Sequence, residues 1–241
     1  MEREKLIALA IKYKGNYRML YEALRKGEDA PMLKDVAAIT IFDKDYPKRL
    51  RELALPPLVL FYRGDRRLIK EEMVAVIGSR KMEDYASRAT KDLVSSLKKR
   101  YTVISGLALG VDGMAHRCAL SHKTIGVIGC GIDRIYPAAN KELYEAMSKR
   151  HLIISEYPGD IAPRAEHFPF RNRIIAALAT KVFVMQASLR SGTFITVNEA
   201  IELDREIYAL PYDIYDEAGK GTNLLIEEGA RMILPDEFDK Y

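Results

Sequence analysis

Six short stretches of this chain, at 73–77, 103–105, 124–128, 152–155, 181–185 and 207–210, are apolar along their length. Five run straight into a turn rich in Gly or Ser, and the last into Pro211-Tyr212. Runs this short read as strands rather than helices. Because they do not alternate apolar with polar, both faces of the resulting sheet must be covered. Helical patterns lie between them, as in Ala86, Ala89, Leu93, Val94 and Leu97 after the first. Strand alternating with helix predicts an α/β fold, with a mostly parallel sheet and helices on both faces. Right-handed crossovers then bring every strand's carboxyl end to one edge, where ligands of such folds bind.

The residues at that edge narrow the ligand. After the strands come Gly78-Ser79-Arg80, Ser105-Gly106, Gly129-Cys130-Gly131, Ser155-Glu156-Tyr157-Pro158, Gln186-Ala187-Ser188 and Pro211-Tyr212. Gly and Ser recur where backbone approaches a ligand closely, and turns rich in N–H groups hold phosphate oxygens. Arg80 adds a fixed charge, and Ser191-Gly192-Thr193 opens the helix after the fifth strand as a further anion-compatible terminus. The stretch Phe168-Pro169-Phe170-Arg171-Asn172-Arg173 reads as the start of another helix, with Pro169 at its first turn. That reading puts two arginines where the macrodipole favours acids, a conflict that a bound anion would resolve. Phe168 and Phe170 beside those cations offer faces on which bases stack. The plainer alternative is two core phenylalanines beside two solvated or ion-paired arginines.

Several chemistries are excluded or left weak. Gly129-Cys130-Gly131 is followed by Arg134 where the dinucleotide fingerprint needs its third Gly. Gly219-Lys220-Gly221-Thr222 lacks the spacing of a phosphate-binding Walker loop, and no G-x-S-x-G occurs. Asp112 and His116 stand four apart on one helix face, as metal ligands or as a capping Asp and a packed His. No third ligand is evident, so no metal and no cofactor is expected. Cys118 and Cys130 form no C-x-x-C pair and are expected to be reduced, packed thiols.

Residues 1–66 have a different rhythm. Leu6, Ile7, Leu9 and Ala10, then Tyr17, Leu20, Tyr21 and Leu24, give two helical segments hinged near Gly15-Asn16. A third small element is expected around 32–41, then a short helix, a proline turn and an apolar strand before Gly64. This divides the chain into a small helical unit at 1–66 and an α/β unit at 67–241. An apolar fraction of 48% supplies the core, and the net charge of +4 tolerates a polyanion without demanding one. No apolar run approaches the ~20 residues of a membrane span. The N-terminus lacks the apolar core of a signal peptide, so a cytoplasmic location is expected.

Taken together, the motifs resemble the DprA/Smf family, the DNA-processing protein A of bacteria. The matching pieces are Val76-Ile77-Gly78-Ser79-Arg80, Ser105-Gly106-Leu107-Ala108 with Gly110-Val111-Asp112 and Ala115-His116, and Gly129-Cys130-Gly131-Ile132-Asp133 with Tyr136-Pro137 and Asn140. Further along come Ser155-Glu156 with Pro158, Phe168-Pro169 with Arg171 to Ala176, Ser191-Gly192 with Thr196, and Gly221-Thr222-Asn223. Before them, Tyr46-Pro47, Leu50, Pro56-Pro57 and Gly64 also match. The resemblance implies a Rossmann-like domain behind a small helical (SAM-like) domain, often dimeric. It implies a protein that binds and protects single-stranded DNA and hands it to a recombinase of the RecA type in natural transformation. By position it implicates Gly78, Ser79, Arg80, Gly106, Lys141, Arg164, His167, Phe168, Arg171, Asn172, Arg173, Ser191, Gly192 and Thr196 in DNA binding. An apolar cluster of Leu224, Leu225, Ile226, Met232 and Ile233 near the chain end suggests a dimer contact.

The sequence departs from the family pattern at Leu109, where Arg is usual, and at Gln186 and Tyr212, where Glu and Gly are usual. Ala165 and Glu166 dilute the charge before Phe168, and only a few residues follow Leu234, where many members carry a winged-helix domain. Two rival readings use the same edge. One is a nucleotide or nucleotide-sugar sensor. The other is an enzyme like the LOG-type phosphoribohydrolases, whose glycine-rich loop closes in a catalytic Glu. Here Thr196 holds that place, and a hydroxyl brings no negative charge to an oxocarbenium-like centre.

Overall fold

A computed structural model describes residues 2–31 and 35–241. In chain order the strands are β1 (Ala38–Thr40), β2 (Val59–Gly64), β3 (Met73–Ile77), β4 (Thr102–Ser105), β5 (Thr124–Val127), β6 (Leu152–Ser155), β7 (Ala179–Val184), β8 (Glu206–Ala209) and β9 (Arg231–Met232). The helices are α1 (Glu2–Lys12), α2 (Tyr17–Arg25), α3 (Asp84–Leu97), α4 (Val111–Ala119), α5 (Lys141–Arg150), α6 (His167–Leu178), α7 (Thr193–Glu202) and α8 (Lys220–Glu227). Among the described residues, nine strands join one sheet in the order β1-β2-β6-β5-β4-β3-β7-β8-β9. From β6 to β9 every pairing is parallel, whereas β2 runs antiparallel to both β6 and β1. The sheet tapers to three residues at β1 and two at β9. Among the described residues, no helix is long and apolar enough to cross a membrane.

Strand alternation divides the core. Met73, Ala75 and Ile77 point to the face covered by Ile174, Ile175 and Leu178 of α6 and Val197 and Ala200 of α7. Val74 and Val76 point the other way, onto Leu93, Val94 and Leu97 of α3 and Val111 and Ala115 of α4. Beyond them on that side, Phe61 of β2 and Ile153 of β6 pack with Leu6, Ile7 and Leu9 of α1 and Met147 of α5. At ~1.5–3 kcal/mol for each fully buried aliphatic side chain, these layers supply most of the favourable free energy of folding.

The third cluster crosses the expected division at residue 66. The helical pair has no core of its own, because α1 buries its apolar face against the sheet, and β1 and β2 belong to that sheet. So short a helical segment cannot bury enough surface alone. Of the element expected around 32–41, β1 is realised, while residues 32–34 lie outside the described residues. Near the chain end, Leu225 and Ile233 are buried by the chain itself, which removes much of the apolar cluster offered as a dimer contact.

The strand order reverses at β3. The chain moves outward through β4, β5 and β6, then α6 carries it back so that β7 lies on the other side of β3. A crevice therefore opens at the carboxyl end of β3, between the loops leaving β4 and β7. The amino end of α6 reaches the same edge.

Candidate nucleic-acid interface

The crevice is a cleft of about 490 Å³. One wall is the turn leaving β3, with Gly78, Ser79 and Arg80; the other is α6, with Phe168, Arg171 and Asn172. The start of α7 closes the end with Ser191, Gly192 and Thr196. Ser79 shapes its turn by accepting from the Lys81 amide at 3.1 Å and donating to the Lys81 carbonyl at 2.9 Å. Its own amide donates to the Gln186 carbonyl at 2.9 Å, which ties the turn to the loop after β7. Gln186, at a position where the family usually has Glu, spans the gap: Oε1 accepts from the Glu83 amide and Nε2 donates to the Lys81 carbonyl. The Ser191 hydroxyl accepts from the Thr193 amide at 3.2 Å and donates to the Thr193 hydroxyl at 2.9 Å, setting the first turn of α7.

Arg80 is exposed at the mouth. Its guanidinium lies 5.3 Å from the centroid of the Phe168 ring, a cation–π distance. Tyr136, itself 42% exposed, places its ring 5.8 Å from Phe168. Between them lies a small hollow of about 60 Å³, also lined by Gly106 and Leu109. A fixed cation therefore stands beside two partly open aromatic faces at the sheet edge. Tyr136 was absent from the expected contacts. The available signal was an aromatic residue shortly after the Gly129-Cys130-Gly131 turn of the same edge.

Helix α6 begins at His167, two residues earlier than the sequence suggested. Pro169 occupies its third position, where a missing N–H costs nothing because the first four amides have no intrahelical acceptor. Arg171 and Arg173 consequently fall in the second turn, and the conflict with the macrodipole that pointed to an anion there largely disappears. Both side chains turn inward, contrary to the expected pair of open guanidinium forks. The Arg171 Nη1 donates to the carbonyl of Gly106 at 2.6 Å and to that of Val127, while Nε donates to Asn172 Oδ1 at 3.1 Å. Arg171 thus pins the exits of β4 and β5 together under the cleft. Gly106 is required for this, since a Cβ there would collide with the guanidinium and lie 2.5 Å from Asp112 Oδ2. Burial pushes the Asp112 carboxyl above its ordinary range, and the Arg171 charge pulls against that shift.

Arg173 is committed elsewhere. Its Nη1 and Nη2 hold both oxygens of Glu156 at 2.6 and 2.7 Å, with both side chains less than 10% exposed. Nη1 also donates to the Phe170 carbonyl and Nε to the Leu55 carbonyl, and the guanidinium lies 3.7 Å from the Phe170 ring centroid. For Arg173 the plainer reading of the sequence, an ion-paired arginine, describes the geometry. His167 is also buried, stacked on Tyr157 at 3.9 Å, with Nδ1 donating to the Gly129 carbonyl at 3.2 Å. Burial lowers its pKa, so it is a neutral packing residue and not a surface cation.

The remaining expected contacts are dispersed. Lys141 opens α5, lies 3.9 Å from Glu145 and lines neither the cleft nor the hollow. Arg164 is exposed on the far side of the α6 start, 4.0 Å from Glu166. Asp112 and His116 do not converge as ligands. His116 Nδ1 donates to Thr124 Oγ1 at 2.7 Å, because that hydroxyl's hydrogen is given to the Val103 carbonyl. Among the described residues, no group of three or more His, Cys, Asp or Glu side chains could hold a metal ion.

Known proteins share this architecture and sequence. The model of the family described as DNA recombination-mediator protein A matches residues 37–239. DNA processing protein DprA of Streptococcus pneumoniae is 40% identical over 211 residues, covering 86% of this chain and 75% of that protein. The X-ray structure of DNA processing protein A from Streptococcus pneumoniae superposes with a TM-score of 0.81 at 33% identity, covering 95% of this chain and 89% of the other. DNA processing protein A from Helicobacter pylori, whose structure was described for its single-stranded DNA binding mode, gives a TM-score of 0.78 at 33% identity. That match covers 85% of this chain and 95% of the other. On the match of the family model and the identity to these relatives, this chain belongs to the DNA recombination-mediator protein A family.

Proposed function

We propose that this chain binds single-stranded DNA at the carboxyl edge of its sheet, protects the strand, and helps to load a recombinase of the RecA type onto it during natural transformation. The observation that carries the reading is Arg80 over Phe168, with Tyr136 alongside, at the mouth of an open cleft. A phosphate and its base are recognised by just such a neighbouring cation and ring, whatever the sequence. Beneath them the buried Arg171 adds positive potential to the floor. The likeness to the Helicobacter pylori protein supports the same ligand, and the family's description supports the transfer to a recombinase.

The role is non-catalytic on this reading. Thr196 is buried in the cleft wall where the related nucleotide-cleaving loop supplies its carboxylate. A homodimer and a cytoplasmic location belong to the same proposal. Titration with a panel of mononucleotides, single-stranded oligonucleotides and duplexes tests it. Single strands should bind tightest and Arg80→Ala should weaken them with little change in thermal midpoint. Mononucleotides bound as tightly as oligonucleotides would establish a sensor, and mononucleotides cleaved would establish an enzyme.

A further inference from the structure

On the other side of the α6 start lies a second hollow, of about 460 Å³, between the turn joining α1 to α2 and the segment leading into α6. Residues 164–170 form the ridge between the two spaces. Ala165, Phe168 and Pro169 line the cleft, whereas Arg164, His167 and Phe170 line the hollow. The opposite wall carries Lys14, Tyr17 and Arg18.

Three rings lead away from the ridge. Tyr17 lies 6.0 Å from Phe170, and Tyr21 lies 6.4 Å from Tyr17 with the two rings within 7° of parallel. Phe170 is held by the Arg173 guanidinium packed against it. Tyr21 does little for folding. It is 50% exposed, while α2 turns Leu20 and Ala23 to the core. Cations alternate with the rings. Lys14 makes no ion pair with any described residue, the Arg18 side chain is 89% exposed and paired at 3.1 Å with the half-exposed Glu22, and Arg164 is only loosely paired with Glu166. Tyr17 meets Phe170 edge-on, at 67°, and lies parallel to Tyr21, so rings and neighbouring cations follow one another along a path that suits a single strand, with bases against rings and phosphates alongside.

We propose that the helical pair α1–α2 carries a second subsite for the same DNA strand, which leaves the cleft over Pro169 and continues across Phe170 onto Tyr17 and Tyr21. This rests on the reading of the cleft given above. It assigns the N-terminal segment a direct share of the DNA contact and sets the site size by two surfaces in series.

The test compares two lengths of single-stranded oligonucleotide, one of about 6 nucleotides that fills the cleft alone and one of about 20 that reaches both surfaces. The variant is Lys14→Gln with Tyr21→Ala, both exposed side chains. It should bind the short strand as the wild type does and the long strand about 5- to 150-fold more weakly, the range of one lost base stack. Its salt slope with the long strand should flatten by about 0.7 for the lost phosphate contact. Phe168→Ala, run in parallel, should weaken both lengths. Unchanged binding of the long strand by the helical variant overturns the proposal and leaves the cleft reading standing. Equal weakening of both lengths by that variant also overturns it, because the effect would then pass through the cleft. A change in oligomeric state without a change in DNA binding would make this face a contact between copies. A silent Phe168→Ala at both lengths removes the cleft reading and the continuation with it.

Discussion

Replacing Glu156 with Gln separates two roles for Arg173 that the sequence alone leaves open. The guanidinium is held at 2.6 and 2.7 Å by a carboxylate almost fully out of water, and its remaining donors go to the Phe170 and Leu55 carbonyls. Glu156→Gln keeps the shape but strands a buried cation, a loss of about 3–5 kcal/mol. Arg173→Met strands the carboxylate instead and takes the donor from two carbonyls, a loss of similar size. For a chain of this length each kcal/mol shifts the thermal midpoint by about 2–4 °C, so both variants should melt roughly 10 °C lower. The double variant leaves no lone charge and should be less destabilised than the sum by up to about 3 kcal/mol. Thermal unfolding gives the midpoints. DNA titration over a range of salt, well below each midpoint, gives the number of phosphates engaged. A structural ion pair leaves the slope of log K against log salt unchanged in Arg173→Met. A midpoint within 2 °C of wild type, with the slope flatter by about 0.7, would refute the reasoning and restore Arg173 as a phosphate ligand.

Three further outcomes are expected. Phe168→Ala should cost single-stranded DNA binding about 1–3 kcal/mol without altering the salt slope, and should barely change duplex binding; titration at several salt concentrations checks both. Burial pushes His116 down to about 3, so it stays neutral in the fold while the unfolded chain binds a proton below its ordinary pKa near 6.5. Its contribution is therefore present above about pH 6.5 and is lost as pH falls from there toward 3, at a slope approaching about 1.4 kcal/mol per unit. Denaturant unfolding from pH 7 to 4 should show that slope reduced in His116→Asn, with the remainder coming in part from His151 and His167, also lowered by burial. Deleting residues 1–66 removes β2 from β6 and should give an aggregating product in gel filtration, not a soluble α/β domain, because a bare strand edge is left open.

Much of the fold was legible because apolar runs and glycine turns are local signals. All six stretches became strands of the parallel array, with boundaries shifted by a residue or two. The antiparallel addition of β1 and β2 was not legible, since nothing in Val59 to Gly64 says which distant strand it will meet. The candidate site was half legible. Arg80 and Phe168 stand at the edge where the strand-end rule puts them, and Ser191, Gly192 and Thr196 line the same cleft. The arginines of α6 misled for a physical reason. A pattern of residue types fixes the helix but not the partner, and Glu156 and Gly106 come from turns 17 and 65 residues away. Burial of an arginine is decided by those long-range acceptors, which local spacing does not encode.

The tapered ends of the sheet bear on how copies of this chain can meet. With three residues at one margin and two at the other, neither offers a ladder long enough to template an incoming strand. Association by continuing the sheet, the route that runs away into fibres, is closed at both ends. Contacts between copies, or with another protein, must instead be built from side chains on helices and loops. Such contacts are reversible and graded, since single residues and salt adjust them in small steps. For a protein proposed to bind single-stranded DNA as a homodimer, that geometry lets copies lie close together without fusing.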